Sequence, residues 1–214
     1  MTLAQNFKYT LIAYLIAFLS PSLVIFFSKD PKVLIQANTI IYILGAVALI
    51  FINTRLTEKP LVERRKNSSW VQIISWGVIG IFITIFSQGV ANLIEQSLLG
   101  TEAASANTQH IVTLAKQYPL FLLAVSVGGP IMEELVFRRA FIGWLDKYTN
   151  VWFAAVLSAC LFAVAHMDGH FLVYFTMGIV LFALYEHTGS IWTSSIAHCA
   201  MNLLVVLTQM FFVP

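Results

Sequence analysis

Residues 70–98 form one long apolar stretch, WVQIISWGVIGIFITIFSQGVANLIEQSL, and this stretch decides the class of fold. A membrane-spanning helix needs about 20 predominantly apolar residues, and the stretch is longer than that. Similar stretches recur along the chain of 214 residues. The sequence therefore predicts an all-α protein, a polytopic bundle of transmembrane helices.

The amino-acid composition points the same way. Hydrophobic residues make up 59% of the chain, charged residues only 10%, and the mean hydropathy is +0.83. A soluble globular domain usually carries about 25% charged residues. This composition excludes a soluble enzyme and a disordered protein. The net charge of +2 is too small to imply a nucleic-acid partner, so the expected environment is the lipid bilayer.

Seven segments are long and apolar enough to be predicted as spanning helices. Their approximate limits are 9–27, 33–53, 70–98, 114–144, 151–166, 170–186 and 191–212. The fourth segment contains Gly128-Gly129-Pro130, where we expect a kink. The sequence thus predicts about seven spanning helices around a central intramembrane polar cavity.

A basic loop divides the chain into two sections. Residues 55–66 contain five cations, and cytoplasmic loops of membrane proteins carry an excess of Lys and Arg. We therefore expect this loop and the N-terminus to lie inside. Residues 1–69 would form two N-terminal transmembrane helices with the basic cytoplasmic loop, and residues 70–214 a five-helix core that carries the chemistry.

Polar residues at membrane depth indicate the candidate site. Inserting an ionisable group there costs at least ~2.5–3.5 kcal/mol on insertion scales, so we expect such a group to have a function. These polar residues are Glu133, Glu134, Arg138, His166, His198 and Asn202. At a rise of about 1.5 Å per residue, Glu133 and Asn202 lie roughly 16 Å, and His166 roughly 22 Å, from the nearest predicted cytoplasmic end. The hydrocarbon core is about 30 Å thick, so we expect these side chains to meet inside the bundle.

The spacing of these residues indicates which of them share a helix face. Glu134 precedes Arg138 by four residues, the favourable order for an ion pair, which leaves Glu133 as the free carboxylate. His198 and Asn202 are also four residues apart. A glutamate near a histidine can activate water, and a second histidine with an amide can stabilise an oxyanion. Carboxylates and histidines can instead bind zinc, and this alternative stays open.

Three motifs, which follow one another in order along the predicted helices of the core, resemble those of a known family. They are Glu133-Glu134-x-x-x-Arg138, Phe162-x-x-x-His166 and His198-x-x-x-Asn202. In this order they are similar to the motifs of the CAAX-protease-and-bacteriocin-processing membrane proteases, also called Abi or CAAX-prenyl-protease-2-like proteins. The resemblance covers roughly residues 118–207.

The resemblance implies an intramembrane endopeptidase that cleaves peptides or membrane-protein segments. Glu133 would be the general base, with His166 as its partner on the attacking water. His198 and Asn202 would stabilise the oxyanion, while Glu134 and Arg138 would support the first helix. The chain is more similar to bacterial members, which suggests the bacterial cytoplasmic membrane.

The resemblance leaves the need for a metal open, because both metal-dependent and metal-free mechanisms have been proposed for the family. We expect that no cofactor is required. If zinc is bound, the expected ligands are Glu133, His166 and His198.

Two other functions are compatible with the sequence. The chain could be a non-catalytic membrane adaptor or bacteriocin-immunity protein that acts by binding a partner. It could also be a small transporter or a proton-coupled channel, since buried Glu and His also suit a proton relay. The sequence predicts neither the identity of the substrate nor the oligomeric state.

Overall fold

The computed structural model describes residues 1–101 and 105–212, and within these ranges all regular secondary structure is helical. The helices are α1 (Leu3–Val24), α2 (Pro31–Thr54), α3 (Leu61–Arg65), α4 (Trp70–Leu99), α5 (Ala106–Gln117), α6 (121–145), α7 (Val151–His166), α8 (Phe171–Thr188) and α9 (Ile191–Phe212). Helix α6 consists of five consecutive segments, Phe121–Leu123, Ala124–Gly128, Gly129–Glu133, Glu134–Ile142 and Gly143–Leu145.

The predicted helical membrane bundle is confirmed. Within the described residues, five helices (α1, α2, α4, α8 and α9) are long and apolar enough to cross a membrane. Helix α7 is shorter but equally apolar, and with the segmented α6 it brings the bundle to about seven spans. Large apolar side chains such as Phe82 (67% exposed) and Leu98 (76% exposed) point outward, as expected of a surface that faces lipid.

Local capping signals define where the long helix α4 begins and ends. The hydroxyl of Ser69 accepts the amide of Gln72, and the Gln72 side chain accepts the amide of Ser69, which completes a capping box. At the other end Gly100 adopts a left-handed conformation (φ 66°) that few other residues tolerate. Helix α4 therefore begins at Trp70, as the sequence predicts.

The predicted helix 114–144 is wrong in its first part. Residues Ala106–Gln117 form a separate helix, α5, and Tyr118 leaves the helical region with φ −132° and ψ 79°. The physical reason is Pro119, which disfavours a helical conformation in the residue before it. Helix α6 therefore starts only at Phe121.

Helix α6 contains two π-helical stretches, Ala124–Gly128 and Glu134–Ile142. In the first, the amide of Gly129 donates to the carbonyl of Ala124, five residues back. Pro130 has no amide hydrogen for the next carbonyl, that of Val125. The expected kink at Gly128–Pro130 thus takes the form of a widened helical turn, a feature that is frequent at functional sites.

The two N-terminal helices pack tightly against α6. A Cβ atom at Gly45 of α2 would lie 2.7 Å from both Ala17 Cβ of α1 and Met132 Sδ of α6, so the three helices approach closely at that level. The helices of the predicted front section therefore contact the helix that carries Glu133. The division of the chain at residue 69 stays a prediction.

The basic loop is bound to one end of the bundle. Glu63 accepts hydrogen bonds from Arg139 (Nε to Oε1 2.6 Å, Nη2 to Oε2 3.0 Å) and from the Tyr185 hydroxyl at 3.1 Å. These bonds join α3 to α6 and α8. The side of the membrane on which this end lies stays a prediction.

Candidate active site

A buried cluster joins the first and third motifs. Oε1 of Glu134 lies 3.5 Å from Nη1 of Arg138 and 3.0 Å from Nδ1 of His198. All three side chains are 0–1% exposed. The predicted ion pair between Glu134 and Arg138 is therefore present, and it has His198 as a third member.

The second motif joins this cluster through Phe162. The guanidinium of Arg138 lies 4.1 Å from the centre of the Phe162 ring, an arrangement that stabilises a buried cation. The same ring meets His198 edge-on at 6.2 Å and His166 at 4.5 Å. Phe162 thus lies among residues from all three motifs.

Glu133 faces the other nitrogen of His198. Its Oε2 lies 3.7 Å from Nε2 of His198, and its side chain is 21% exposed, whereas that of Glu134 is fully buried. Because Glu134 is paired with a cation, it acts as a charged acceptor, and Nδ1 of His198 is the natural donor to it. Nε2 of His198 is then directed toward Glu133.

His166 has different partners from those expected. Its Nδ1 lies 2.8 Å from the carbonyl of Phe162, and its ring stacks on Tyr174 with a centroid distance of 3.8 Å. Both Glu133 and His166 lie in the described part of the chain, and no hydrogen bond or ion pair joins them. The structure brings His198 to Glu133 instead.

Asn202 contacts the backbone of α6. Its Nδ2 donates to the carbonyl of Val125 at 3.2 Å. That carbonyl belongs to the π-helical stretch, and the residue five positions on is Pro130, which has no amide hydrogen to offer. One N–H of Asn202 therefore satisfies a carbonyl that the helix itself leaves without a donor.

The expected zinc ligands do not form a metal site in this arrangement. Among residues 1–101 and 105–212, no group of three His, Cys, Asp or Glu residues is placed to hold a metal ion. Glu133 and His198 are close, but His166 does not join them. The donor set therefore does not fit zinc as predicted, and metal dependence stays an untested question.

A cavity of about 320 Å³ adjoins the cluster. His166, His198 and Asn202 line it, as do several uncharged polar side chains, namely Gln88, Asn92, Asn107, Thr108 and Gln209. Because His198 also contacts both glutamates, it connects this cavity to the carboxylates. The sequence predicts a central polar cavity, and residues of the second and third motifs line the cavity that is observed.

Sequence reasoning missed a second polar network on the cavity wall. Glu95 of α4 is 1% exposed and accepts hydrogen bonds from the amide of Leu172 and from Nδ1 of His170, the latter at 3.2 Å. It is the one charged residue in the sequence of α4. The rule that singled out Glu133, an ionisable group inside an apolar span, would also have found Glu95.

Asp168 extends this network to α5. It accepts hydrogen bonds from Ser105 Oγ at 2.6 Å, from the Tyr174 hydroxyl at 2.7 Å and from the amide of His170 at 3.2 Å. Partial burial raises the pKa of Asp168, but these hydrogen bonds outweigh it and hold the pKa below its ordinary value. The carboxylate therefore fastens the start of α5 beside the cavity.

Fold and site together define an integral membrane protein with a largely buried cluster of Glu, Arg, His and Asn side chains. The profile of the family described as "Type II CAAX prenyl endopeptidase Rce1-like" matches residues 115–204, which include all three motifs. The "Putative membrane peptidase YdiL" of Bacillus subtilis is 36% identical over 174 residues, which cover 81% of this chain and 71% of that protein.

A second relative is the "Membrane-embedded CAAX protease MroQ" of Staphylococcus aureus. It is 28% identical over 186 residues, 84% of this chain and 75% of that protein. No solved structure matches the chain. The chain belongs to the Rce1-like CAAX prenyl endopeptidase family of membrane proteases.

Proposed function

We propose that this protein is an intramembrane endopeptidase of the bacterial cytoplasmic membrane, with its N-terminus inside, that hydrolyses peptides or membrane-protein segments. The observation that carries this proposal is the position of His198, 3.0 Å from Glu134 and 3.7 Å from Glu133, on the wall of a cavity that several polar side chains line.

The gap between Glu133 and His198 suits a water molecule. The 3.7 Å between Oε2 of Glu133 and Nε2 of His198 is less than twice the length of a hydrogen bond, about 2.8 Å, so one water can bond to both atoms. With Nδ1 of His198 donating to Glu134, Nε2 accepts one hydrogen of that water and Glu133 accepts the other. The lone pairs of the water oxygen are then free to attack.

In the proposed reaction the water oxygen attacks the carbonyl carbon of the substrate. As this bond forms, Glu133 takes a proton from the water. The carbonyl π electrons move to the carbonyl oxygen and form a tetrahedral oxyanion. The intermediate collapses, the C–N bond breaks, and Glu133 returns the proton to the departing amine. The products are a carboxylic acid and an amine, and the carboxylate is regenerated.

The other motif residues position these two groups. Arg138 keeps Glu134 charged, and Glu134 fixes the tautomer and the orientation of His198. Nδ1 of His166 is directed to a carbonyl, so its other nitrogen is available to a substrate in the cavity. Asn202 has one N–H left for an oxyanion, since the other is donated to Val125. The mechanism uses no cofactor.

The test compares the peptides and membrane proteins of cells that express the wild type or Glu133→Gln at matched levels. Glu186→Gln makes the same chemical change at a half-exposed position of α8, where Glu186 pairs with Lys66 at 3.5 Å, and serves as the control. We expect fragments with the wild type and Glu186→Gln that are missing with Glu133→Gln. Identical profiles in all three strains would refute proteolysis by Glu133 and favour the adaptor or immunity function.

A further inference from the structure

We propose that the two N-terminal helices complete the active site, with the phenol groups of Tyr14 (α1) and Tyr42 (α2) donating hydrogen bonds to the oxyanion formed beside Glu133. This inference rests on the proposed function. None of the three motifs lies on α1 or α2, and the inference gives these two helices a chemical role.

Both rings lie on the face of α6 that carries Glu133. Gly129, Glu133 and Phe137 follow one another at intervals of four residues and therefore share a face. The ring of Tyr42 lies 3.7 Å from the position that a Cβ atom of Gly129 would occupy, and the ring of Tyr14 meets that of Phe137 edge-on at 6.1 Å. The two tyrosines thus flank Glu133 along the helix.

Close backbone packing holds Tyr42 in this position. A Cβ atom at Gly128 would lie only 3.0 Å from the carbonyl oxygen of Tyr42. The neighbouring contact of Gly45 with Ala17 and Met132 fixes α1 and α2 against α6 at the same level. A larger side chain at Gly128 or Gly45 would push the tyrosines away from Glu133.

The phenols of Tyr14 and Tyr42 both lie on the side of α6 that carries Glu133. Within the described residues, neither hydroxyl has a hydrogen-bond partner, so each retains a donor. The donors of the motif residues are largely engaged, because Nδ1 of His198 is bound to Glu134 and one N–H of Asn202 to Val125. The phenols are therefore well placed to donate where negative charge develops.

The test uses Tyr14→Phe, Tyr42→Phe and the double variant, which keep the rings and remove only the hydroxyls. Tyr9→Phe, at an exposed position of α1, is the control. The substrate is a synthetic peptide that spans a cleavage site found by comparing the wild type with Glu133→Gln. Removing one oxyanion donor costs about 10²–10³ in kcat, so we expect a loss of at least this order in the double variant, with KM unchanged.

A second measurement separates this role from a merely structural one. A peptide of the same sequence with a tetrahedral phosphinate at the cleaved bond mimics the intermediate. We expect the double variant to bind this analogue more weakly by the same factor as its kcat falls, and to bind the substrate peptide as the wild type does.

Unchanged kcat in the double variant, or equal weakening of analogue and substrate, would overturn the role of the tyrosines while leaving the role of Glu133 intact. Cleavage by Glu133→Gln, or no cleavage by the wild type, would instead overturn the proposed function together with this inference. Thermal unfolding of each variant in detergent checks that the fold is retained.

Discussion

The carboxylate of Glu134 and the imidazole of His198 form a buried hydrogen bond of 3.0 Å between two membrane helices, although the residues are 64 positions apart in sequence. This bond gives the two adjacent glutamates different environments. Glu134 is committed to Arg138 and His198, while Glu133 stays partly exposed and faces the second nitrogen of the same ring. Adjacent carboxylates can thus serve separate roles, one structural and one chemical.

The buried pair of Glu134 and Arg138 should be strongly coupled in stability. Glu134→Leu leaves the Arg138 cation buried without a carboxylate partner, and we expect a loss of about 3–5 kcal/mol in the free energy of unfolding. The double variant Glu134→Leu/Arg138→Met should lose less than Glu134→Leu alone. Denaturant unfolding in detergent micelles measures both, and additive losses would contradict the coupling.

Asn202 and Pro130 should be coupled through the carbonyl of Val125. Asn202→Ala leaves that carbonyl without a donor, which costs about 1–3 kcal/mol. Pro130→Ala restores a backbone N–H to α6, so Asn202→Ala should cost less in the Pro130→Ala background. The four free energies of unfolding form a double-mutant cycle, and an equal cost of Asn202→Ala in both backgrounds would argue against this account.

The contact of Asp168 with Ser105 should weaken at low pH. Because the folded pKa of Asp168 lies below its ordinary value of 3.8, its contribution to stability is present above that value and is lost as the pH falls through the folded pKa. Asp168→Asn removes this titration. The difference in Tm between the wild type and Asp168→Asn should therefore shrink from about pH 5 to about pH 3. A difference in Tm that does not depend on pH would contradict this role of the Asp168 carboxylate.

Peptide cleavage should not depend on a bound metal, since Glu133 and His198 activate the water in the proposed steps. We expect protein purified without chelator to contain far less than one zinc per chain, and its activity to survive 1,10-phenanthroline. Elemental analysis and the cleavage rate test this together. The metal takes part if the protein contains stoichiometric zinc, if removing the zinc abolishes activity, and if returning it restores activity.

Much of the bundle could be predicted, because the length of an apolar stretch and its flanking caps are local properties of the sequence. The observed first residues of α4, α7 and α9, namely Trp70, Val151 and Ile191, are the predicted ones. The start of α6 was missed because the apolar pattern continues through Pro119, which interrupts the helix.

The depth of the site residues in the membrane could be predicted from the sequence, but not which side chains contact one another. Counting residues gives the height of a side chain in the membrane, whereas the rotation of each helix about its axis depends on packing between helices. Glu133 therefore meets His198 in the structure, although the resemblance assigned it to His166. Tyr14 and Tyr42 carry no charge and belong to no motif, so only the packing of α1 and α2 on α6 reveals that they lie near Glu133.

The most direct test of the central claim, that Glu133 activates water for peptide hydrolysis, is cleavage in H₂¹⁸O by the purified protein in liposomes. The substrate is the peptide identified in cells, and mass spectrometry of the new C-terminus gives both the rate and the origin of the oxygen. We predict one ¹⁸O atom per cleavage with the wild type and with Glu186→Gln, and no cleavage with Glu133→Gln. Cleavage by Glu133→Gln at the rate of the wild type would contradict the account.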